Sequence, residues 1–276
     1  MDDLAARGAP LEYWFFRTDS GDLSFLVDLI VRRGEHRAET RVASRVGDVA
    51  GVERAFSDTW SADAQGIRAG ESHLGASTTR GWVGEIAWSL DVDLGPDRIR
   101  PLPPALSWLR PFDMQLVSRP TARFTGSISI GGRTWTLESR PGMVSHYWGR
   151  ALPRRWTWVS VTGEATEPRL ESTVLSSRIW GTPLAVTCGY FWRSGEPPAG
   201  RPVLAVMPLN GLVRSTPGAP GAARVRAWRP RRFAADVDCQ AADESFADLG
   251  EGIRQSLAAD VVADGRRLRG ALEFRD

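Results

Sequence analysis

The segment from Gly142 to Ser160 reads GMVSHYWGRALPRRWTWVS and holds three of the twelve tryptophans in the chain. Gly149 and Pro153 punctuate it, because glycine tolerates a positive φ and proline fixes φ and removes a backbone donor. The pattern predicts a strand, a tight turn and a second strand. Trp156 and Trp158 share one face of the second strand, since side chains alternate along a strand. Two indoles on one face form either a packed core or a wall for a flat or cationic guest.

Alternation of apolar and polar residues predicts short strands along most of the chain. The clearest period of two runs from Trp82 to Leu94, and the segment from Ile67 to Ser77 is expected to place Glu71 and His73 on one strand face. One helix candidate of one or two turns lies near residues 242–250. Many short strands with Gly and Pro turns, and almost no helical period, predict an all-β sandwich or barrel.

The number of predicted strands exceeds that of one eight-stranded barrel, which favours two barrel-like halves. Glu12-Tyr13-Trp14 and His146-Tyr147-Trp148 repeat a Tyr-Trp pair about half a chain length apart, in a chain with only three tyrosines. This repetition hints at a duplication. We therefore expect an N-terminal β domain over residues 1–140 and a C-terminal β domain over residues 141–276.

Composition excludes several classes of function. The chain has 276 residues, of which 42% are hydrophobic, so it can bury a large core. A formal net charge of +2, without a basic stripe beside stacking aromatics, argues against nucleic-acid binding. All 35 basic residues are arginine, which excludes Schiff-base and P-loop chemistry that needs lysine. The three histidines lack the short spacings of zinc enzymes, so neither a metal nor a cofactor is expected.

The N-terminal residues have neither the basic nor the apolar region of a secretory signal. No stretch reaches the roughly 20 apolar residues that a membrane span needs. Cys188 and Cys239 are isolated, without a Cys-x-x-Cys spacing, so no disulfide framework is expected. We expect a protein of the reducing cytoplasm without stable membrane insertion, and the oligomeric state stays open at this point.

The spacing of Trp148-Gly149, Pro153 and Trp156-Thr157-Trp158 resembles the Trp-Gly, Phe-Pro and Trp-x-Trp signature of tocopherol cyclases. Glu12-Tyr13-Trp14-Phe15-Phe16 resembles the opening of the related carotenoid 1,2-hydratase and lipocalin-like cyclase families. The resemblance implies two tandem lipocalin-like antiparallel β-barrels. One departure stands out, because the acidic group that those families carry before Trp-Gly is replaced here by Ser145-His146-Tyr147.

The resemblance implies a cofactor-independent intramolecular cyclase of a large apolar polyene, prenyl or polyketide-type metabolite. The expected catalytic residues are Glu12, His146 and Tyr147. A carboxyl group among bulky residues is expected to have a raised pKa, so Glu12 would act as a general acid, and His146 or Tyr147 would replace the missing acidic group. The expected substrate-binding residues are Trp14, Glu71, His73, Trp82, Trp148, Trp156 and Trp158.

The cyclase hypothesis covers two mechanisms, a proton-initiated ring closure and a pericyclic [4+2] closure. The missing acid before Trp148 favours the pericyclic route, since a shaped pocket with one or two hydrogen-bond donors suffices for it. A hydratase that adds water to an isoprenoid double bond is a second hypothesis. A non-catalytic carrier is a third, because barrel interiors hold apolar ligands well. The catalytic hypotheses require the indoles near the start and those at mid-chain to enclose one dry pocket.

Overall fold

The computed structural model describes residues 4–100, 114–163, 169–179, 182–192, 203–206, 213–217, 221–229, 233–263 and 265–275. Apart from two short 3-10 turns, at Arg33–Glu35 and Asp243–Ser245, the regular structure of these residues is strand. The first eleven strands are β1 Leu11–Ser20, β2 Leu23–Arg32, β3 Arg37–Val46, β4 Val49–Ser57, β5 Trp60–Asp63, β6 Gly66–Ala69, β7 Ser72–Gly75, β8 Thr78–Val83, β9 Ile86–Asp93, β10 Met114–Ile130 and β11 Arg133–Gly149. The next ten are β12 Trp156–Val161, β13 Arg169–Ile179, β14 Thr182–Trp192, β15 Val203–Val206, β16 Val213–Pro217, β17 Ala222–Arg229, β18 Phe233–Gln240, β19 Ala247–Gly250, β20 Ile253–Ala263 and β21 Arg266–Arg275.

The strands form two curled sheets, a barrel and a half-barrel. The 11-stranded sheet has the order β4-β3-β2-β1-β11-β10-β9-β8-β7-β6-β5. The 10-stranded sheet has the order β15-β14-β13-β12-β21-β20-β18-β17-β16, and β19 pairs with β20. This architecture confirms the predicted all-β fold with two lipocalin-like halves. Among the described residues, no helix is long and apolar enough to cross a membrane.

The chain divides into two compact units. The first comprises Met1–Gly47, Gly51–Arg98 and Met114–Leu152, and the second comprises Asp48–Ala50, Ile99–Asp113 and Pro153–Asp276. The predicted boundary between residues 140 and 141 lies inside β11, because this strand continues in the first sheet to Gly149. The boundary between the compact units lies 12 residues further along the chain, after Leu152.

The first unit is held together by one hydrophobic core on the inner face of its curled sheet. The largest core side chains include Trp14, Phe16, Phe25, Trp88 and Phe124. Phe16 and Phe124 lie 5.4 Å apart between ring centroids, within the range of favourable aromatic pairs. Each such buried side chain contributes about 1.5–3 kcal/mol relative to the exposed state. This core fixes the inward direction of every second residue of β1 and β11.

The second unit has its own apolar core, which includes Val159, Val161, Phe191, Val225 and Val261. Val159 and Val161 alternate along β12 with the two tryptophans of that strand. Trp156 and Trp158 therefore point to the opposite face of β12, outside this core. That face is also buried, since Trp156 is 9% and Trp158 is 6% exposed.

The strand, turn and second strand predicted from Gly142 to Ser160 are present, since β11 ends at Gly149 and β12 begins at Trp156, although the two strands belong to different sheets. Two segments that the sequence pattern predicts as continuous strands contain turns instead. A turn at Gly84-Glu85 divides the segment from Trp82 to Leu94 into β8 and β9. A turn at Gly70-Glu71 likewise separates β6 from β7. The strand predictions were wrong at these points, since a hairpin turn reverses the chain and changes which residues share a face.

A hairpin at Gly131-Gly132 joins β10 to β11, with Ile130 paired to Arg133 and positive φ at both glycines. The two Tyr-Trp pairs do not occupy equivalent positions in the two halves of the chain. Tyr13 and Tyr147 are directly opposite each other on the antiparallel strands β1 and β11 of one sheet. The two pairs are therefore neighbours within the first unit.

The close approach of β1 and β11 depends on Gly142, which is paired with Thr18. A Cβ atom at this position would collide with the carbonyl oxygen of Arg17 and with the ring of Phe124. We expect Gly142→Ala to lower the free energy of unfolding by roughly 1–3 kcal/mol, because overpacking forces the backbone apart. Urea unfolding monitored by tryptophan fluorescence measures this change. The matched control is Gly34→Ala, where no atom lies within 4 Å of the new methyl group; equal midpoints for the two variants would contradict the prediction.

Candidate functional site

The Glu12 carboxylate lies fully buried near the start of β1, surrounded by four polar partners. The backbone N–H of Arg7 donates to Oε2 at 2.7 Å, and the backbone N–H of Ala9 donates to Oε1 at 3.1 Å. The Arg33 guanidinium donates to Oε1 at 2.9 Å. His146 on β11 completes the set, with its Nε2 at 3.1 Å from Oε2. Both carboxylate oxygens therefore have two partners each.

These partners decide the charge of Glu12. Burial raises its pKa, but the hydrogen bonds from His146, from the Arg7 backbone and from Arg33 outweigh burial and lower the pKa to about 2. The expectation of a raised pKa at Glu12 was wrong, because it considered the bulky neighbours and not the donors. Glu12 is ionised near neutral pH and cannot serve there as a general acid.

The His146 imidazole is fully buried between two indoles. The Trp14 ring stacks on it with 4.3 Å between ring centroids and 7° between ring planes. The half-buried Trp148 ring lies 5.0 Å away at 44°. Indole faces attract cations, so this arrangement stabilises a protonated imidazole as well as a neutral one. The structure thus brings together four of the predicted site residues, namely Glu12, Trp14, His146 and Trp148.

The segment before β1 runs across this group of side chains. Leu4 packs in the core of the first unit, and its carbonyl oxygen accepts a hydrogen bond from Trp14 Nε1 at 2.8 Å. Ala6 N–H donates to the carbonyl oxygen of Asp63 at 2.8 Å. The Arg7 guanidinium lies 5.3 Å from the Trp148 ring centroid. The segment supplies two of the four partners of Glu12 and covers the indoles with polar and apolar contacts.

Tyr147 lies on the opposite face of β11 from His146. Its ring stacks on Tyr13 with 4.8 Å between centroids and 14° between planes, and Phe15 lies 5.8 Å away. Tyr147 is 4% exposed. The alternation of His146 and Tyr147 between two faces agrees with their strand position, and it separates the two predicted catalytic residues by the thickness of the sheet.

In the second unit, the indoles of β12 are bonded to carboxylates. Trp156 Nε1 donates to Glu273 Oε1 at 2.7 Å, and Gln255 Nε2 donates to Glu273 Oε2 at 2.7 Å. Trp158 Nε1 donates to Glu171 Oε1 at a long 3.5 Å, and Glu171 is fully buried. Both tryptophans therefore lie on a buried face of the sheet, where each indole N–H donates a hydrogen bond to a carboxylate. That they and the indoles of the first unit enclose a common pocket stays a prediction.

Glu71, His73 and Trp82 lie elsewhere in the first unit. Glu71 occupies the turn between β6 and β7, so the expectation that it shares a strand face with His73 was wrong. Burial lowers the pKa of His73, and the adjacent Arg68 and Arg80 lower it further.

Trp82 is 57% exposed on β8, whereas its neighbour Trp88 is buried. Trp82 forms one wall of an open cavity of ≈ 410 Å³, which we call the Trp82 groove. Its lining includes Thr40, Phe56, Ser57, Glu71, Ser72 and Trp82.

The sequence did not identify several residues of these clusters. Arg7 and Ala9 act through backbone amides, which no side-chain pattern reveals. Arg33 is one of 35 basic residues, and only its position beside the start of β1 distinguishes it. Within the described part of the chain, no group of three or more His, Cys, Asp or Glu residues is placed to hold a metal ion.

The fold is similar to that of two proteins of known structure. An AttH-like protein of Nitrosomonas europaea superposes with a TM-score of 0.70 and 12% identity, over 98% of this chain and 93% of that protein. Kievitone hydratase of Nectria haematococca superposes with a TM-score of 0.64 and 10% identity, over 99% of this chain and 91% of the hydratase. At these identities the likeness establishes a shared lipocalin-like fold.

In sequence, the chain is similar to uncharacterised proteins from two strains of Mycobacterium tuberculosis. The identity is 32% over 101 residues, which cover 35% of this chain and 28% of each relative. The match therefore spans less than a third of the length of these relatives. No family model matches the chain.

The charge of Glu12 predicts a pH-dependent contribution to stability. Because its pKa is lowered from 4.5 to about 2, the ionised form stabilises the fold above pH 4.5, and this contribution is lost as the pH falls toward 2. At pH 7 we expect Glu12→Gln to lower the free energy of unfolding by about 2 kcal/mol, since it leaves Arg33 and His146 without their anion.

Urea unfolding of both proteins between pH 7 and pH 3 measures the effect, and the difference should narrow below pH 4.5. The control is Glu35→Gln, which removes an exposed carboxylate and should change stability by less than about 0.5 kcal/mol at every pH. A pH-independent difference for Glu12→Gln would show that the carboxylate charge does not matter.

Proposed function

We propose that this chain is a cofactor-independent enzyme that moves a proton to and from a carbon–carbon double bond of a large apolar metabolite. The observation that carries the proposal is the 3.1 Å contact between His146 Nε2 and the Glu12 carboxylate, inside a barrel and against two indoles. A buried carboxylate stabilises the adjacent imidazolium, which is a form able to donate a proton. His146 is the candidate catalytic residue, and Glu12 is its positioning residue.

The role of Glu12 follows from its partners. With a pKa of about 2 it remains an anion and an acceptor through the reaction. Arg33 and the backbone amides of Arg7 and Ala9 hold the carboxylate in place, so it fixes the orientation of the imidazole. Since the stacked Trp14 ring restrains the same imidazole, the pair is preorganised for proton transfer.

In a hydration, the His146 imidazolium gives its proton to one alkene carbon. The π electrons form the new C–H bond and leave a carbocation at the other carbon. Water attacks the cation, and the resulting oxonium returns a proton to the imidazole. Atoms and charges balance without a cofactor, and the imidazolium is regenerated. Nearby indole faces such as Trp14 and Trp148 would stabilise the cationic intermediate.

Ring closure begins with the same proton transfer. An internal double bond or hydroxyl group of the substrate then attacks the cation in place of water, and a proton returns to the imidazole. The fold shared with kievitone hydratase, whose name describes a hydration, supports the first outcome. The resemblance of Trp148-Gly149 and Trp156-Thr157-Trp158 to the tocopherol cyclase signature supports the second. The two outcomes differ only in the nucleophile that reaches the cation.

Substitution of the proposed pair tests its role. The assay incubates the purified chain with a panel of prenylated phenols, prenyl-quinols and acyclic polyenes and detects products by mass spectrometry. We expect His146→Phe, which keeps a flat ring between the indoles, to lower kcat by about 10²–10⁴-fold. Glu12→Gln should lower kcat by roughly 10-fold or more with a smaller effect on KM, because it acts through His146.

The control for this experiment is His36→Phe, at an exposed hairpin tip between β2 and β3, which should keep full activity. Thermal melting of each variant separates a loss of catalysis from a loss of fold. Full activity in folded His146→Phe would overturn the proposal.

Heavy water distinguishes the proposed mechanism from its alternatives. Proton transfer to carbon places deuterium at a carbon of the product, whether the product is hydrated or cyclised. A cyclic product without carbon-bound deuterium would instead indicate a pericyclic closure in which the cavity only shapes the substrate. Tight binding of panel members without conversion of any would indicate a carrier. Either of these results would contradict the acid–base assignment of His146.

A further inference from the structure

The Trp82 groove is separate from the Glu12–His146 pair and lies within the first unit. It is formed by the end of β4 at Ala55–Ser57, the β6–β7 turn and Trp82 of β8, with a volume of ≈ 410 Å³. None of its lining residues belongs to the group around Glu12 and His146. The groove is therefore a second candidate binding site, distinct from the Glu12–His146 pair.

Two hydroxyl groups line the inner side of the groove. Thr40 is 3% and Ser72 is 2% exposed, so both residues are almost wholly buried. Neither hydroxyl hydrogen-bonds to any residue in the part of the chain that the structure describes. Buried polar groups are satisfied in the great majority of native structures. These two hydroxyls are therefore available to a polar ligand in the groove.

The walls combine a carboxylate with aromatic surface. Glu71 is exposed at the β6–β7 turn and makes no ion pair or hydrogen bond among the described residues. Trp82 and Phe56 are 57% and 49% exposed, and they are two of the four large hydrophobic side chains that are exposed in the described part of the chain. An aromatic plane beside a carboxylate and hydroxyls can bind a ligand that is apolar on one face and rich in hydroxyls at its edge.

The charges around Phe56 disfavour a cationic ligand. The guanidinium of Arg37 lies 4.2 Å and that of Arg54 lies 5.2 Å from the Phe56 ring centroid. The aromatic ring is thus already engaged by two cations, and a third positive charge would meet both. A single carboxylate at Glu71 does not outweigh them. The groove is suited to an uncharged ligand.

We propose that the Trp82 groove binds a saccharide unit. The C–H face of a pyranose ring packs against the Trp82 indole, and two adjacent hydroxyls donate to the Glu71 carboxylate. The hydroxyls of Thr40 and Ser72 exchange hydrogen bonds with the remaining ring substituents. The site recognises either a free sugar or the sugar part of a glycosylated metabolite, and it does so without the Glu12–His146 pair.

Ligand-observed NMR on the full chain tests the proposal. Saturation-transfer difference spectra are recorded with maltose, cellobiose, methyl glucoside and diacetylchitobiose as probes, and titration gives their dissociation constants. We expect at least one probe to bind with a Kd of about 1 mM. Trp82→Ala should weaken that binding roughly tenfold, because it removes the aromatic surface that packs against the sugar ring. Glu71→Gln should weaken it roughly fivefold, because it removes the carboxylate that accepts the sugar hydroxyls.

Two matched variants serve as controls. Glu85→Gln removes an exposed carboxylate at the neighbouring turn and should leave the Kd unchanged. His146→Phe should also leave saccharide binding unchanged, so failure of the proposed enzymatic function would not affect this result. The saccharide proposal is overturned if no probe gives saturation transfer, if Trp82→Ala binds as tightly as the unaltered chain, or if tetramethylammonium binds at the groove more tightly than every saccharide.

Discussion

The pairing of β1 with β11 is the constraint on which the first unit depends. Its register runs from Leu11 opposite Gly149 to Thr18 opposite Gly142. It brings Glu12 and His146 into contact although 134 residues separate them in sequence. The same pairing stacks Trp14 on the imidazole and Tyr13 on Tyr147, on opposite faces of the sheet. A shift of one residue would turn all of these side chains to the wrong face.

A buried carboxylate is tolerated here because its surroundings compensate the loss of water. Glu12 gains four partners, one of them a guanidinium and two of them backbone amides. Glu39, also buried, follows the same rule on the other face of the sheet, with Arg32, Arg41 and Arg54 as its partners. Arginine suits both places, since its planar fork remains charged and donates in fixed directions. The absence of lysine is thus consistent with the way this chain buries its anions.

Local sequence patterns predicted the type of fold but not the positions of all its turns. Alternation of apolar and polar residues predicted short strands along most of the chain, and the described residues form 21 strands. The turn at Gly84-Glu85 was missed because Trp82 and Val83 are both apolar, so either residue could have faced the core. In the structure Val83 packs in the core and Trp82 is exposed.

The candidate site was predictable only in part, for a physical reason. Glu12, Trp14, His146 and Trp148 could be named from motif resemblance, but their contact depends on strand pairing between distant segments. The pKa of Glu12 was predicted in the wrong direction because the groups that lower it, His146, the Arg7 backbone amide and Arg33, come together only in the folded chain. Every residue except proline has a backbone N–H, so the sequence does not show which of these groups will contact a given carboxylate. Their positions are known only once the path of the chain is known.

The position of β11 so far along the chain has a consequence for synthesis. During translation, β1 and β2 can form a hairpin early, but the other edge of β1 has no neighbour until residues 133–149 have left the ribosome. At about 5–20 residues per second, that edge stays open for on the order of ten seconds. It carries the aromatic run Tyr13 to Phe16, the kind of segment that pairs with other chains when left uncovered. The nascent protein is therefore expected to require holding chaperones until its eleventh strand arrives.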